Sequence, residues 1–293
     1  MSSYLEQADL IRKPFECFYF DNEVNMFPVP EHSHYYMEIV LNLEGSVLVQ
    51  SNGRKYTVRE NELVVIYPNA VHSYSEADGG RLRAAVFKLD ISRLDLTSTY
   101  SPKTRSIAVK MERERTDIVI AADEIREVNC RDAFERCIAE SEKGDFGYDI
   151  MVVAMISLLM TGVFRYYLRK GFVLDADTFA LDDQYDIYCV TEYILANIGN
   201  NLRVEDVAEK CGMSYSGFAR KFKEIYNMTC KEYMDEIRIG RVEEMLSYTN
   251  FDLCFIAKEC GYSDCSHLIN SFKKWKGITP AKFREYRKRS RKS

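Results

Sequence analysis

Short runs of β-branched and aromatic residues fill roughly the first 95 positions of the chain. Residues 15–20 (FECFYF), 37–43 (MEIVLNL), 46–50 (SVLVQ), 54–58 (RKYTV), 62–67 (ELVVIY) and 81–89 (RLRAAVFKL) each have the length and texture of a strand. Between the third and fourth runs stands Ser51-Asn52-Gly53. An Asn-Gly pair accepts the two positive φ angles that a tight hairpin demands. Many short strands joined by tight turns predict a sandwich or a barrel.

From about residue 117 the period changes. Residues 130–143 space Ala133, Phe134, Cys137 and Ile138 as one helical face, and Gly144 and Gly147 interrupt it. Residues 148–170 predict a longer helix, apolar nearly all round, which has to be covered by other surface. Gly171 ends it. Its inner run, 150–164, falls short of the roughly 20 residues a membrane span needs. It reads as a buried or dimer-forming helix, with no membrane partner. Residues 171–184 (GFVLDADTFALDDQ) are acidic and aperiodic and read as a linker.

After residue 185 the helices are short and one pattern occurs twice. VAEKCGMS at 207–214 returns as IAKECGYS at 256–263, offset by 49. One residue is then inserted, and the match resumes at offset 50: Phe218 with Leu268, Phe222-Lys223 with Phe272-Lys273, Thr229 with Thr279, Tyr233 with Phe283. Each copy reads as helix, glycine turn, helix. Ala208 and Ala257 allow a close crossing. Gly212 and Gly261 suit a left-handed helix end, and Ser214 and Ser263 are placed to cap the next helix. Phe218 and Phe222, or Leu268 and Phe272, take the inward face. The outward face then carries Tyr215, Ser216, Ala219, Arg220 and Lys223 in the first copy. In the second it carries Asp264, Ser266, His267, Asn270 and Lys274. An amphipathic helix at 233–246 joins the copies. This is the helix-turn-helix pattern, whose second helix enters the major groove of double-stranded DNA. Arg220 and Asn270 are the expected base readers, for guanine and adenine respectively. Lysines and helix N-termini suit phosphates.

Charge supports that division. The 293 residues carry a net charge of −5, unevenly placed: residues 1–184 sum to −9 and residues 185–293 to +4. From Lys273 to the end there are ten basic residues and one acidic one. A basic C-terminal part points to an anionic partner. Nine cysteines without CxxC pairs, behind a polar N-terminus, suggest reduced thiols in a cytoplasmic protein.

Residues 185–290 resemble the DNA-binding domain of AraC/XylS-type transcription regulators. The likeness rests on GMSYSGFARKFK, on Arg238 in EIRIGRVEEML, and on IAKECGYSDCSHLINSFKKWKGITPAKFREYRK. It implies two recognition helices reading successive major-groove segments, with RNA polymerase as a further partner. Cys230, Val242, Leu268 and Arg203 depart from the family's usual Pro, Ala, Phe and Ser. These are packing and capping positions.

The N-terminal part resembles the cupin-like effector domain of such regulators. It carries HxHxxxE (His32, His34, Glu38), then six residues to Gly45, and later ENELVVIYPNAVHSY with His72. His32, His34 and Glu38 share the parity of one strand face, so with His72 they are expected to line one cavity. Asn61 stands where metal-binding cupins have Gly, and tolerates a left-handed backbone. Three roles remain open for the four residues. They recognise a small effector, a sugar or aromatic ligand being suited to the nearby Tyr35, Tyr36, Tyr67 and Tyr74; or they shape the barrel by hydrogen bonding; or they hold a divalent metal. No cofactor is otherwise indicated, and there is no nucleophile elbow, phosphate loop or HExxH. The competing functional class is a metal-dependent cupin enzyme carrying a DNA-binding appendage.

The expected fold is α+β and multidomain: a cupin-like barrel at 1–125, a helical dimerisation segment at 126–171, a linker at 172–184, and an all-α double helix-turn-helix domain at 185–293. The expected protein is an effector-responsive, homodimeric transcription regulator.

Overall fold

The computed structural model describes residues 4–5, 10, 14–94, 102–181, 187, 190–200 and 202–290. The chain divides into two compact units, Met1–Gln184 and Tyr185–Ser293.

Among the described residues the first unit is built on ten strands: β1 (Tyr4–Leu5), β2 (Phe15–Asp21), β3 (Val29–Ser33), β4 (Met37–Glu44), β5 (Val47–Ser51), β6 (Arg54–Val58), β7 (Glu62–Ile66), β8 (His72–Glu76), β9 (Arg83–Leu89) and β10 (Val119–Ala121). They form two five-stranded sheets, ordered β1-β3-β8-β5-β6 and β10-β7-β4-β9-β2. All pairings are antiparallel except β1 with β3. The predicted hairpin joins β5 to β6, with Asn52 and Gly53 at φ 46° and 79°. Asn61 takes a left-handed φ of 62°.

Four strands escape the sequence pattern. β3 (VPEHS) and β8 (HSYSE) lack an apolar run, and β1 and β10 are only two and three residues long. Also unforeseen is α1 (Thr104–Arg113), which buries Ile107, Ala108 and Met111. A strand made of polar residues is stabilised by its ladder and its neighbours, which composition does not record.

One helix covers the second sheet and a second helix packs on it. Asn129 caps α2 (Cys130–Lys143), and Gly144 ends it at φ 63°. Its Phe134 stacks on Phe87 of β9, ring centroids 3.9 Å apart. The next helix, α3 (Tyr148–Arg169), is long and apolar enough to cross a membrane by length and composition. Yet Val152, Ile156, Leu159, Met160, Val163 and Tyr167 are buried in the same core as the barrel, which is how a core helix behaves. Its outer face leaves Ile150, Met151, Leu158 and Leu168 exposed.

The segment 172–184, expected to be irregular, contains a short helix, α4 (Ala176–Ala180). Asp175 and Thr178 cap it reciprocally, and Asp175 takes a 2.5 Å ion pair from Lys110 of α1. Local capping overrides the acidic, aperiodic composition here. Residues 182–184 lie outside the described residues.

The second unit holds α5 (Val190–Asn197), α6 (Val204–Lys210), α7 (Tyr215–Tyr226), α8 (Cys230–Tyr248), α9 (Leu253–Glu259), α10 (Cys265–Lys276) and α11 (Pro280–Ser290). α6–α7 and α9–α10 are the two copies of the repeat. Phe218, Phe222, Tyr226 and Tyr233 form an aromatic cluster under the first copy. Leu268, Phe272, Phe283 and residues of α9 fill the second. The atypical Leu268, Val242 and Cys230 are all buried. Arg203 begins α6 without a side-chain cap, and Asp206 accepts its backbone N–H at 2.9 Å instead.

Candidate effector cavity and nucleic-acid interface

A cavity of about 280 Å³ lies between the two sheets. Alternation along the strands makes its wall. Glu38, Val40 and Asn42 of β4 face it, as do Ala84, Val86 and Lys88 of β9, and Phe18 and Phe20 of β2. Most of the wall is apolar, with His32, Glu38, Asn42, Tyr74 and Lys88 as the groups able to orient a ligand. Glu38 sits directly across the ladder from Lys88, and the Tyr74 hydroxyl donates to Glu38 Oε1. The Lys88 ammonium lies 5.4 Å from the centre of the Phe18 ring and 5.6 Å from that of Tyr36. Sequence reasoning passed over Lys88. The signal was present: a lysine at the inward parity of RAAVFKL.

The four residues His32, His34, Glu38 and His72 do meet, but not as one strand face. β3 stops at Ser33, so His34 stands in the turn before β4, and parity along an unbroken strand does not apply to it. His32 pairs across the ladder with His72 of β8. His32 and Glu38 line the cavity, whereas His34 and His72 do not. All three imidazoles are at most 2% exposed. Each places Nδ1 on a backbone carbonyl: His32 on Pro30 (2.9 Å), His34 on Tyr36 (2.8 Å) and His72 on Ala70 (2.9 Å). A carbonyl only accepts, so each Nδ1 carries the proton and each Nε2 presents a lone pair. His34 also stacks on Tyr36 at 3.8 Å, and its Nε2 lies 3.9 Å from Glu38 Oε2. Burial pushes His72 down to about 4, so its ring is neutral at physiological pH.

In the second unit, all eight residues expected to touch DNA are exposed: Tyr215, Ser216, Arg220 and Lys223 on α7, and Ser266, His267, Asn270 and Lys274 on α10. Gly212 and Gly261 take left-handed φ angles of 63° and 75°. Ser214 caps α7, accepting from Gly217 N at 3.3 Å. Ser263 does not cap α10, contrary to expectation. Asp264 does, accepting from His267 N at 2.8 Å, with the Ser263 hydroxyl donating to its other oxygen. The residue inserted after Gly261 moves the helix start on by one, so Asp264 rather than Ser263 matches Ser214. The same shift aligns Asn270 with Arg220. A groove of about 660 Å³ separates the motifs, with Tyr215 on one side and His267, Asn270 and Lys274 on the other. Of the basic run beginning at Lys273, Arg291 and Lys292 lie outside the described residues.

Two family models match these units. One, described as an AraC-like ligand binding domain, matches residues 15–127, and a helix-turn-helix domain matches residues 207–286. The chain thus carries an AraC-like ligand-binding domain and an AraC-type helix-turn-helix domain, and its relatives include AraC-type transcription regulators. Among AraC-type relatives, RhaR of Cronobacter sakazakii, an HTH-type transcriptional activator, is 23% identical over 96% of this chain and 95% of its own. AdaA of Bacillus subtilis, a bifunctional transcriptional activator/DNA repair enzyme, is 35% identical over 34% of this chain and 47% of its own. Against several such relatives, AdaA included, the chain spans about half their length or less. ToxT of Vibrio cholerae, crystallised with an unsaturated fatty acid, is 15% identical over 93% of this chain and 95% of its own, with a TM-score of 0.39.

Proposed function

We propose that this protein is a cytoplasmic, non-catalytic regulator that reads DNA with α7 and α10 and senses a small effector in the barrel. The observation that carries this reading is the pair of capped, outward-facing helices with Arg220 and Asn270 at matched positions. Their side chains reach base edges, and Tyr215, Ser216, Lys223, Ser266, His267 and Lys274 position the backbone through phosphates and groove contacts. The effector is a largely apolar molecule with one polar end, because the cavity groups its polar residues around His32, Glu38, Tyr74 and Lys88. Its binding changes DNA occupancy only in so far as it favours one state of the protein over another.

The exposed stripe Ile150, Met151, Leu158 and Leu168 on α3 is taken to pair with a second copy of the chain. Two copies raise the local concentration of DNA-binding units on repeated half-sites. RNA polymerase is the expected further partner. The test is footprinting of the full chain on the region upstream of its own gene, with Arg220→Ala and Asn270→Ala in parallel. Protection of two adjacent major-groove segments, lost in both variants, is expected. Wild-type footprints from both variants would refute the assignment. For pairing, Leu158→Glu should convert the dimer to monomer in light scattering.

A further inference from the structure

Two thiols of the second helix-turn-helix copy stand face to face. Asp252 caps α9, accepting from Phe255 N at 2.8 Å, and Asp264 caps α10, accepting from His267 N at 2.8 Å. Cys254 and Cys265 follow these caps in the first turns of the two helices, and α9 packs on α10. With both helix starts fixed in this way, the two sulfurs lie 2.7 Å apart. A disulfide bond measures about 2.05 Å. Both cysteines are free thiols, Cys254 exposed and Cys265 half-buried. The first copy holds Glu205 and Tyr215 at the corresponding positions. The pair is therefore no requirement of the helix-turn-helix pattern itself.

We infer that Cys254 and Cys265 form a reversible disulfide that braces the second motif, with a peroxide as the oxidant. The hydrogen bond to Cys254, and then partial burial, push the Cys265 thiol up to about 11. Cys265 therefore keeps its proton and donates it to the Cys254 sulfur. Cys254 is the more exposed of the two and reacts first. Its thiolate attacks one oxygen of hydrogen peroxide, the O–O bond breaks, and a sulfenic acid and water form. The Cys265 sulfur then attacks the Cys254 sulfur. The S–S bond forms, the S–O bond breaks, and the hydroxyl leaves as water with the Cys265 proton. Two thiols and one hydrogen peroxide give one disulfide and two waters. In a reducing compartment such a bond is transient, and a dithiol reductant returns both thiols. While it lasts, it ties the start of α9 to the start of α10, beside Ser266 and His267. It closes the short loop through Gly261 and so restricts the unfolded chain.

The pair is tested on the full chain without DNA. Reduced protein is treated with hydrogen peroxide, its remaining thiols are alkylated, and a tryptic digest is mapped by tandem mass spectrometry. Lys258 separates the two cysteines in that digest, and fragment ions distinguish Cys265 from Cys260 in the same peptide. A link between Cys254 and Cys265 within one chain is expected, lost on treatment with dithiothreitol. Cys265→Ser should instead accumulate the Cys254 sulfenic acid, trapped as its dimedone adduct. Cys254→Ser should give neither product. The oxidised chain should unfold at a higher urea concentration than the reduced chain, and Cys265→Ser should abolish that difference. If a variant does not fold, the map and the urea midpoints of the unaltered protein still decide. Peroxide that oxidises methionines while Cys254 and Cys265 stay reduced overturns the inference. So does a link from either residue to any other cysteine or chain, or a link that leaves the urea midpoint unmoved.

Discussion

The two helix-turn-helix copies are built from one pattern but are held differently. In the first, the turn at Gly212 is open: a Cβ placed there meets nothing within 4 Å. In the second, the same Cβ on Gly261 would lie 2.3 Å from the carbonyl oxygen of Ile198, just beyond α5. The second turn is thus wedged against α5 and the first is not. The caps differ as well, a neutral Ser214 against an ionisable Asp264. A repeated sequence therefore yields matching outward-facing helices on unequal supports.

Substitution at the two glycines should separate the copies most sharply. Gly212→Ala forces an alanine into a left-handed backbone and should cost about 1–2 kcal/mol. Gly261→Ala adds a collision with main chain, which cannot swing away, and should cost roughly 3 kcal/mol or more. Urea unfolding of the full chain measures both; equal losses would mean that the wedge is absent.

The reading heads come next. Arg220→Ala and Asn270→Ala should each weaken specific binding by about 1–3 kcal/mol and spare binding to random DNA. Fluorescence anisotropy on operator and scrambled duplexes gives both numbers. A loss confined to one variant would show that a single copy reads sequence and the other only grips the backbone.

The caps should differ in kind. Ser214→Ala removes one bond to a helix N-terminus, worth about 1 kcal/mol at any pH. The His267 N–H holds the Asp264 carboxyl below its ordinary 3.8, so the folded domain favours the charged form. Its stabilisation is present above pH 3.8 and is lost as pH falls below it. Acid titration followed by helical circular dichroism should show this loss in wild type and not in Asp264→Asn. The smallest effect is expected from Lys274→Ala, which should lower the salt dependence of binding by about one counterion for every DNA sequence alike.

How much was legible in the sequence follows from what each element depends on. The boundaries of α2 and α3 could be read directly, because glycines and a clear apolar period mark them. The repeat disclosed both α7 and α10, although an insertion of one residue put the second cap at Ser263 instead of Asp264. β3 and β8 could not be read: VPEHS and HSYSE are strands because they pair with each other. The meeting of His32, His34 and His72 was anticipated by motif, yet parity along one strand was the wrong reason for it. Lys88 was overlooked because a lysine in a strand is ordinarily taken to face solvent.

The helix between the copies has a consequence for the operators such a protein can use. α8 has 19 residues, a rod of about 28 Å, comparable to the roughly 34 Å rise of one duplex turn. On the proposed reading, base preference can drift one side chain at a time at Arg220 or Asn270. The distance between the two sequence elements cannot drift in that way. Adding a residue to α8 would swing one head by about 100° around the rod, so spacing is inherited as a mechanical dimension while the letters remain free to change.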